Sequence, residues 1–184
     1  MTLRLDAVAV LEEWVAPTPG EELLRKEFLE HLYSHDDAMW RSCAAGHLTA
    51  TTAVLSHDGT KVLLTLHPKA GMWLPMGGHC EPSDTSLREA AWREATEESG
   101  ISGLTLLPGP LALDRHKVWC HKPHSWHLDV EFGAVAPPGA EAVISAESLE
   151  LGWFPPDAIP EPTDEATRRL ARRSALTLPM RGGR

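Results

Sequence analysis

The stretch Arg93-Glu94-Ala95-Thr96-Glu97-Glu98-Ser99-Gly100-Ile101, with Gly71-Met-Trp-Leu-Pro-Met-Gly-Gly-His79 upstream, decides how this chain is read. A helix is expected over residues 85–99. Ser86-x-x-Glu89 can form a capping box at its start, with Asp84 as a rival cap, and Gly100 suits the left-handed residue that ends a helix. On that helix Glu94, Glu97 and Glu98 are related by i, i+3 and i+4 and share a face. Counting back along the face gives Ala91, Ala90 and Leu87, so an apolar stripe turns into acids without changing direction. A run of charge ordinarily means a solvated face. Here the acids prolong the core stripe, no lysine stands among them, and they crowd a helix C-terminus, where negative charge is disfavoured. A hard divalent cation bound by carboxylate oxygens relieves both problems. Arg93 lies off that face and can bridge to Glu97 or Glu89, one turn either way, holding a ligand carboxylate in place.

Gly77 and Gly78 permit close approach of backbone to a ligand or metal. A glycine pair alone usually marks a turn; followed by an acid-rich loop and a carboxylate helix it is more specific. Together these residues resemble the Nudix box, G-x5-E-x7-R-E-U-x-E-E-x-G-U, where U is a bulky aliphatic residue. Arg93, Glu94, Glu97, Glu98, Gly100 and Ile101 match, with Ala95 a small residue at the first U. The first half departs from the pattern. Counting back from Arg93 puts Thr85 at the isolated Glu and His79 at the Gly, whereas one inserted residue aligns Gly78 and Asp84 instead. The insertion is favoured, because Gly77-Gly78-x-x-Glu81-Pro82-x-Asp84 resembles the loop usual in that family.

The resemblance implies an α/β fold, an α/β/α sandwich with a mixed sheet. It implies hydrolysis of a nucleoside diphosphate linked to another moiety, by water attack on phosphorus with Mg²⁺ or Mn²⁺ as cofactor. Under it Glu94, Glu97 and Glu98 hold metal, joined by a carbonyl of Gly77 or Gly78. Arg93, Glu97 and Glu98 form the catalytic set with Glu147, a candidate base on the loop before Trp153; Glu150 is its neighbour candidate. Lys69, Gly77, Gly78 and His79 are expected to face the substrate. Glu147 and Glu150 read equally well as exposed loop acids, and Lys69 as a solvated lysine. Two other functions stay open. One is a non-catalytic Nudix-like sensor of a nucleotide or sugar phosphate, although none of the three metal acids is lost. The other is isopentenyl-diphosphate isomerase, whose loop also runs from Trp to Gly-His as Trp73 and Gly78-His79 do; the cysteine that enzyme places before Gly-His is Gly77 here.

The resemblance spans about residues 47–160 and leaves the N-terminal segment aside. Residues 1–45 are expected to form a helical extension, one helix over about 3–15 and a second carrying the stripe Leu23, Leu24, Phe28, Leu29 and Leu32. That stripe predicts packing on the core or at a homodimer interface. Residues 46–184 form the second unit. Strands are expected at 47–56 and 61–66 around a His57-Asp58-Gly59-Thr60 turn, then at 104–107, 113–120, 126–135 and 151–154. A last helix is expected at 163–176, with Leu170 and Leu176 as apolar contacts, and a frayed tail at 181–184.

With 184 residues the chain is long enough to fold without a staple. Lys and Arg number 17 against 26 Asp and Glu, a formal net charge of −9. That argues against nucleic acid and anionic lipid as partners and leaves a small phosphate-rich molecule, if a cation neutralises the local acid. No apolar run approaches a membrane span. Three scattered cysteines fit free thiols in a reducing cytoplasm. The histidines number ten, with His116, His121, His124 and His127 around an expected hairpin; their spacing matches no zinc signature. Trp73, Trp119 and Trp126 are read as core or pocket wall.

Overall fold

A computed structural model describes residues 1–145 and 148–178. Two helices come first: α1 (Leu3–Glu13) and α2 (Pro19–Ser34). The α/β part follows as β1 (His47–Leu55), β2 (Val62–His67), β3 (Met72–Leu74), β4 (Met76–His79), α3 (Leu87–Ser99), β5 (Thr105–Leu106), β6 (Ala112–Val118), β7 (Ser125–Val135), β8 (Glu150–Phe154) and α4 (Glu165–Thr177). The tail expected to fray, 181–184, lies outside the described residues.

The strands make one mixed sheet. Along β3-β2-β1-β7-β5 neighbours are hydrogen-bonded, while β4 pairs with β1, β6 with β7 and β8 with β2. β7 runs parallel to the whole of β1, from His127 opposite His47 to Val135 opposite Leu55; the other pairs are antiparallel. The β-branched run Thr49–Val54 suits this central place, because both faces of β1 are covered. On one face Leu48, Ala50 and Val54 join Leu128, Val130 and Phe132 of β7 in a core closed by α1, α2 and α3. On the other, Ala53 and Leu55 pack with Leu170 and Ala171 of α4. This is the expected sandwich.

β1 and β2 meet around the expected Asp-Gly turn, where Gly59 sits at φ 74°. β3 and β4 were expected as loop. Gly77 and Gly78 of β4 and the intervening Pro75 carry little strand propensity, and β2 and β1 supply the pairing. Gly77 has a specific reason to be glycine: a Cβ there would lie 2.5 Å from Thr51 Oγ1 and 2.8 Å from the carbonyl oxygen of Ala50.

The N-terminal helices share the α3-side core through Leu3, Ala7, Leu11, Phe28 and Leu32. Leu23, expected in that stripe, is exposed; Glu21 is buried instead, paired with Arg173 of α4 at 2.9 Å. The buried line Glu21–Phe28–Leu32 is stepped by 7 and 4 residues, which turns Leu23 outward. Leu176, expected as an apolar contact of α4, is also exposed, whereas Leu170 is fully buried. Asp6 of α1 accepts a hydrogen bond from Leu87 N at 2.7 Å. A residue distant in sequence thus satisfies one of the orphan donors at the start of the carboxylate helix.

Asp6→Ala is expected to lower stability by about 1 kcal/mol, the usual cost of losing a helix-start acceptor, measured by chemical denaturation. Deleting residues 1–45 is expected to leave a protein that aggregates or melts earlier, since burying each large apolar side chain is worth roughly 1.5–3 kcal/mol before entropy. The deletion is read by melting curves and size-exclusion chromatography.

Candidate active site

α3 starts at Ser86, whose hydroxyl accepts from Glu89 N at 3.1 Å, and ends at Gly100 in the left-handed conformation at φ 66°. Asp84, the rival cap, does something else. It is buried, accepts from Glu81 N at 2.7 Å, and pairs through both carboxylate oxygens with Nε and Nη2 of Arg93, each at 3.0 Å. Thr85, the other candidate for the isolated acid, instead donates to Glu89 through its backbone N–H and its hydroxyl.

Arg93 is the hub. Besides Asp84 it donates to Glu94 at 3.0 Å, to Glu97 at 3.1 Å and to the carbonyl of His79 at 3.0 Å. The bridge to Glu89 considered from sequence is not made. The hydrogen bonds from Asp84 and the fields of its acids hold the guanidinium firmly protonated.

The acids sit as their spacing predicts, after the buried stripe Leu87, Ala90, Ala91 and Ala95. Glu98 is buried and accepts from Gly77 N at 2.9 Å. Glu94 lies against Gly78: a Cβ at that glycine would be 2.8 Å from its Oε1. Glu97 is the exposed member. So β4 and α3 bring Gly77, Gly78, Arg93, Glu94, Glu97 and Glu98 together, and Gly78 leaves a cradle that any side chain would fill.

The remaining expected residues are placed differently. Lys69 is exposed on the turn between β2 and β3. Glu147 lies outside the described residues, and Glu150 is exposed at the first position of β8. His79 turns its side chain away from the acids. Its ring packs 5.0 Å from those of His47 and His127, and Cys120 Sγ lies 3.8 Å from its Nε2; only its carbonyl faces Arg93. Of the expected His116–His121–His124–His127 cluster, His116 and His127 meet, their rings 5.3 Å apart, and the other two part from them. His121 bonds the Arg41 carbonyl, and His124 packs on Trp126. Trp73 is core, Trp126 lies beneath the Arg115 guanidinium, and Trp119 is exposed. Cys80 is buried, and burial pushes its thiol up to about 12.

A buried polar seam on the opposite sheet face was missed from sequence. His127, Asp129 and Glu131 alternate along β7 beside His47, Thr49 and Thr51 of β1. Thr49 donates to Asp129 at 2.8 Å, Asp114 pairs with His116 at 3.0 Å, and Arg169 of α4 donates to Glu131 at 2.9 Å. The period-2 pattern His127-x-Asp129-x-Glu131, inside a strand that is otherwise apolar, was the available signal. Burial and the neighbouring Asp129 push Glu131 up to about 8 despite Arg169. A separate cleft of about 650 Å³ between Trp14, Pro110 and Arg173 shares no residue with either group.

Glu131 sets a pH dependence of stability. Its folded value lies above the ordinary carboxylate value of 4.5. The native state therefore holds this proton where the unfolded chain has lost it, and stability falls as pH rises from about 4.5 to about 8. Glu131→Gln is expected to flatten that slope, gaining about 1–3 kcal/mol relative to the parent between pH 5 and pH 8.5, measured by urea denaturation at both values.

The NUDIX domain profile matches residues 46–174. A comparison with curated protein sequences found no match. Among solved structures, a NUDIX family hydrolase from Clostridium perfringens is 26% identical, with a TM-score of 0.55 over 72% of this chain and 98% of that one. A MutT NUDIX hydrolase from Burkholderia pseudomallei is 27% identical, with a TM-score of 0.52 over 70% and 97%. A C. elegans Ap4A hydrolase in a binary complex is 20% identical, with a TM-score of 0.59 over 70% and 95%. A profile that covers most of the chain, on a fold shared with such hydrolases, shows that this protein belongs to the Nudix family and is a pyrophosphohydrolase of that kind.

Proposed function

We propose that this chain uses Mg²⁺ or Mn²⁺, held by Glu94, Glu97 and Glu98, to cleave the diphosphate linkage of a small nucleotide carrying a further group. The observation that supports this most is the passage of the buried stripe of α3 into three carboxylates, one of them buried against the Gly77 N–H. The donor set is all hard oxygen, which suits Mg²⁺, and the Gly78 cradle leaves the Glu94 carboxylate against bare backbone. When bound, the ion would neutralise the diphosphate and lower the pKa of a bound water.

The protein's own groups do the positioning. Arg93 restrains Glu94 and Glu97 at once, and its Asp84 clamp ties both to the loop after β4. The N–H of Gly77 orients Glu98, and the carbonyl of Gly77 or Gly78 is the backbone ligand assigned here. Glu97 is the acid that solvent and an incoming phosphate reach first. The proton of the attacking water is assigned to an acid of this group or to Glu147. With a net charge of −9, a bound cation rather than a basic surface would attract the polyanion. The free thiols fit a cytoplasmic setting. Because specificity resides in pocket walls from several loops, the nucleoside and its appended group are found by assay. Dinucleoside polyphosphates belong in the panel on the strength of the C. elegans neighbour.

Phosphate or nucleotide release is to be measured with Mg²⁺ across nucleoside triphosphates, ADP-ribose, dinucleoside polyphosphates and nucleotide sugars. Glu98→Gln is expected to cut kcat by about 10²–10⁴ on the best substrate while melting no earlier than the parent; near-parent turnover by the folded variant sinks the metal assignment. Mg²⁺ is expected to raise Tm, by the equivalent of about 2.7 kcal/mol at a hundred times Kd, and EDTA to reverse it. An unchanged curve with no turnover on any substrate points to the sensor instead.

A further inference from the structure

Three neighbouring strands present one histidine each to the same sheet face. His47 opens β1, His127 stands directly across from it on β7, and His79 closes β4 opposite Thr49. The rings of His47, His79 and His127 lie 4.9–5.0 Å apart, centre to centre. Cys120, on the turn between β6 and β7, completes the group, its Sγ 3.7 Å from His127 Nε2 and 3.8 Å from His79 Nε2. One ligand atom from each of the four lies within 4.8 Å of all the others.

His47 is the telling member. It is fully buried, and beyond a loose approach to the Cys43 backbone neither ring nitrogen has a hydrogen-bond partner. A buried imidazole without partners carries a desolvation cost that native proteins seldom leave unmet. Its ring instead faces two further histidines and a thiol.

We propose that His47, His79, His127 and Cys120 form a closed tetrahedral site for a borderline transition-metal ion of the Zn²⁺ class, separate from the carboxylate site. Imidazole and thiolate select such ions, whereas Mg²⁺ takes oxygen. Ligand bonds of about 2.0–2.1 Å to nitrogen and 2.3 Å to sulfur put tetrahedral ligand atoms about 3.3–3.6 Å apart. The two sulfur–nitrogen distances are already close to this, and the set closes by inward side-chain rotation. Strands β1, β4 and β7 fix the backbones of the three histidines, and Cys120 stands on the turn that joins β6 to β7. Arg41 places positive charge near all three rings; the thiolate offsets it. Four protein ligands leave no open position, so the ion is structural. It would brace the end of β4, the strand whose Gly77 and Gly78 seat Glu98 and Glu94 and whose His79 carbonyl accepts from Arg93. Nothing in this proposal depends on the reading of the carboxylates.

The test uses the untagged full chain, stripped with a chelator and titrated with Co²⁺ in excess Mg²⁺. One equivalent is expected to give a thiolate-to-cobalt charge-transfer band and the intense visible bands of tetrahedral cobalt, both erased by one equivalent of Zn²⁺. Cys120→Ser should remove the charge-transfer band, and His127→Gln should weaken Zn²⁺ binding at least tenfold, with each variant's fold checked by circular dichroism. Glu98→Gln should keep the full spectrum. Zn²⁺ should raise the Tm of the parent and leave that of Cys120→Ser unmoved. The proposal is overturned if the parent gives no thiolate band, if Cys120→Ser and His127→Gln bind as the parent does, or if Glu98→Gln abolishes the spectrum.

Discussion

The guanidinium of Arg93 ties the candidate site together. It takes both oxygens of Asp84, one oxygen each of Glu94 and Glu97, and the carbonyl of His79. These acceptors come from the end of β4, from the loop after it and from α3. The fork-shaped cation matches a carboxylate with two parallel bonds, which a lysine cannot do. Its charge also answers a problem built into the helix, because acids near a helix C-terminus repel one another and oppose the dipole. Arg93 and the Gly77 N–H meet part of that repulsion, and a cation of the kind proposed for this site would answer more of it.

The glycines next to this hub work by the room they leave. β4 can pair with β1 only because Gly77 brings no Cβ against Thr51 and the Ala50 carbonyl. Gly78 leaves the space into which the Glu94 carboxylate fits. In a close-packed interior such gaps are filled or they are absent. Here the backbone of β4 is pressed between a strand on one side and a carboxylate on the other. Asp6 of α1, at the start of α3, adds a contact from outside the matched domain, so the helical extension meets the same element from its other end.

The two faces of the sheet differ in chemistry. The face under α1, α2 and α3 is apolar. The other passes from an apolar contact with α4 into a seam of buried acids, Arg169, and finally the His47–His79–His127–Cys120 group. A strand assigns alternate residues to opposite faces. β7 therefore carries Leu128, Val130 and Phe132 into one layer, and His127, Asp129 and Glu131 into the other. Raised values at Asp129 and Glu131 follow first from burial, and then from a neighbouring acid, Asp114 for Asp129 and Asp129 for Glu131.

The amino-acid sequence by itself determined what depends on short range. The helix from Ser86 to Gly100, the common face of Glu94, Glu97 and Glu98, the Asp-Gly hairpin and the long strands could be read because period and capping are local properties. The family resemblance rested on that same stretch. Tertiary structure decided the rest. Whether Asp84 or Thr85 faces Arg93 depended on how the loop folds back on the helix. β3 and β4 exist because neighbouring edges bond them, against their own propensity. Leu23 is exposed and Glu21 buried because Arg173, 152 residues away, supplies the partner. The histidines that meet are His47, His79 and His127, far apart along the chain and brought together by β1, β4 and β7. No local spacing encodes that meeting, because contacts between strands are set by which edges pair and in what register.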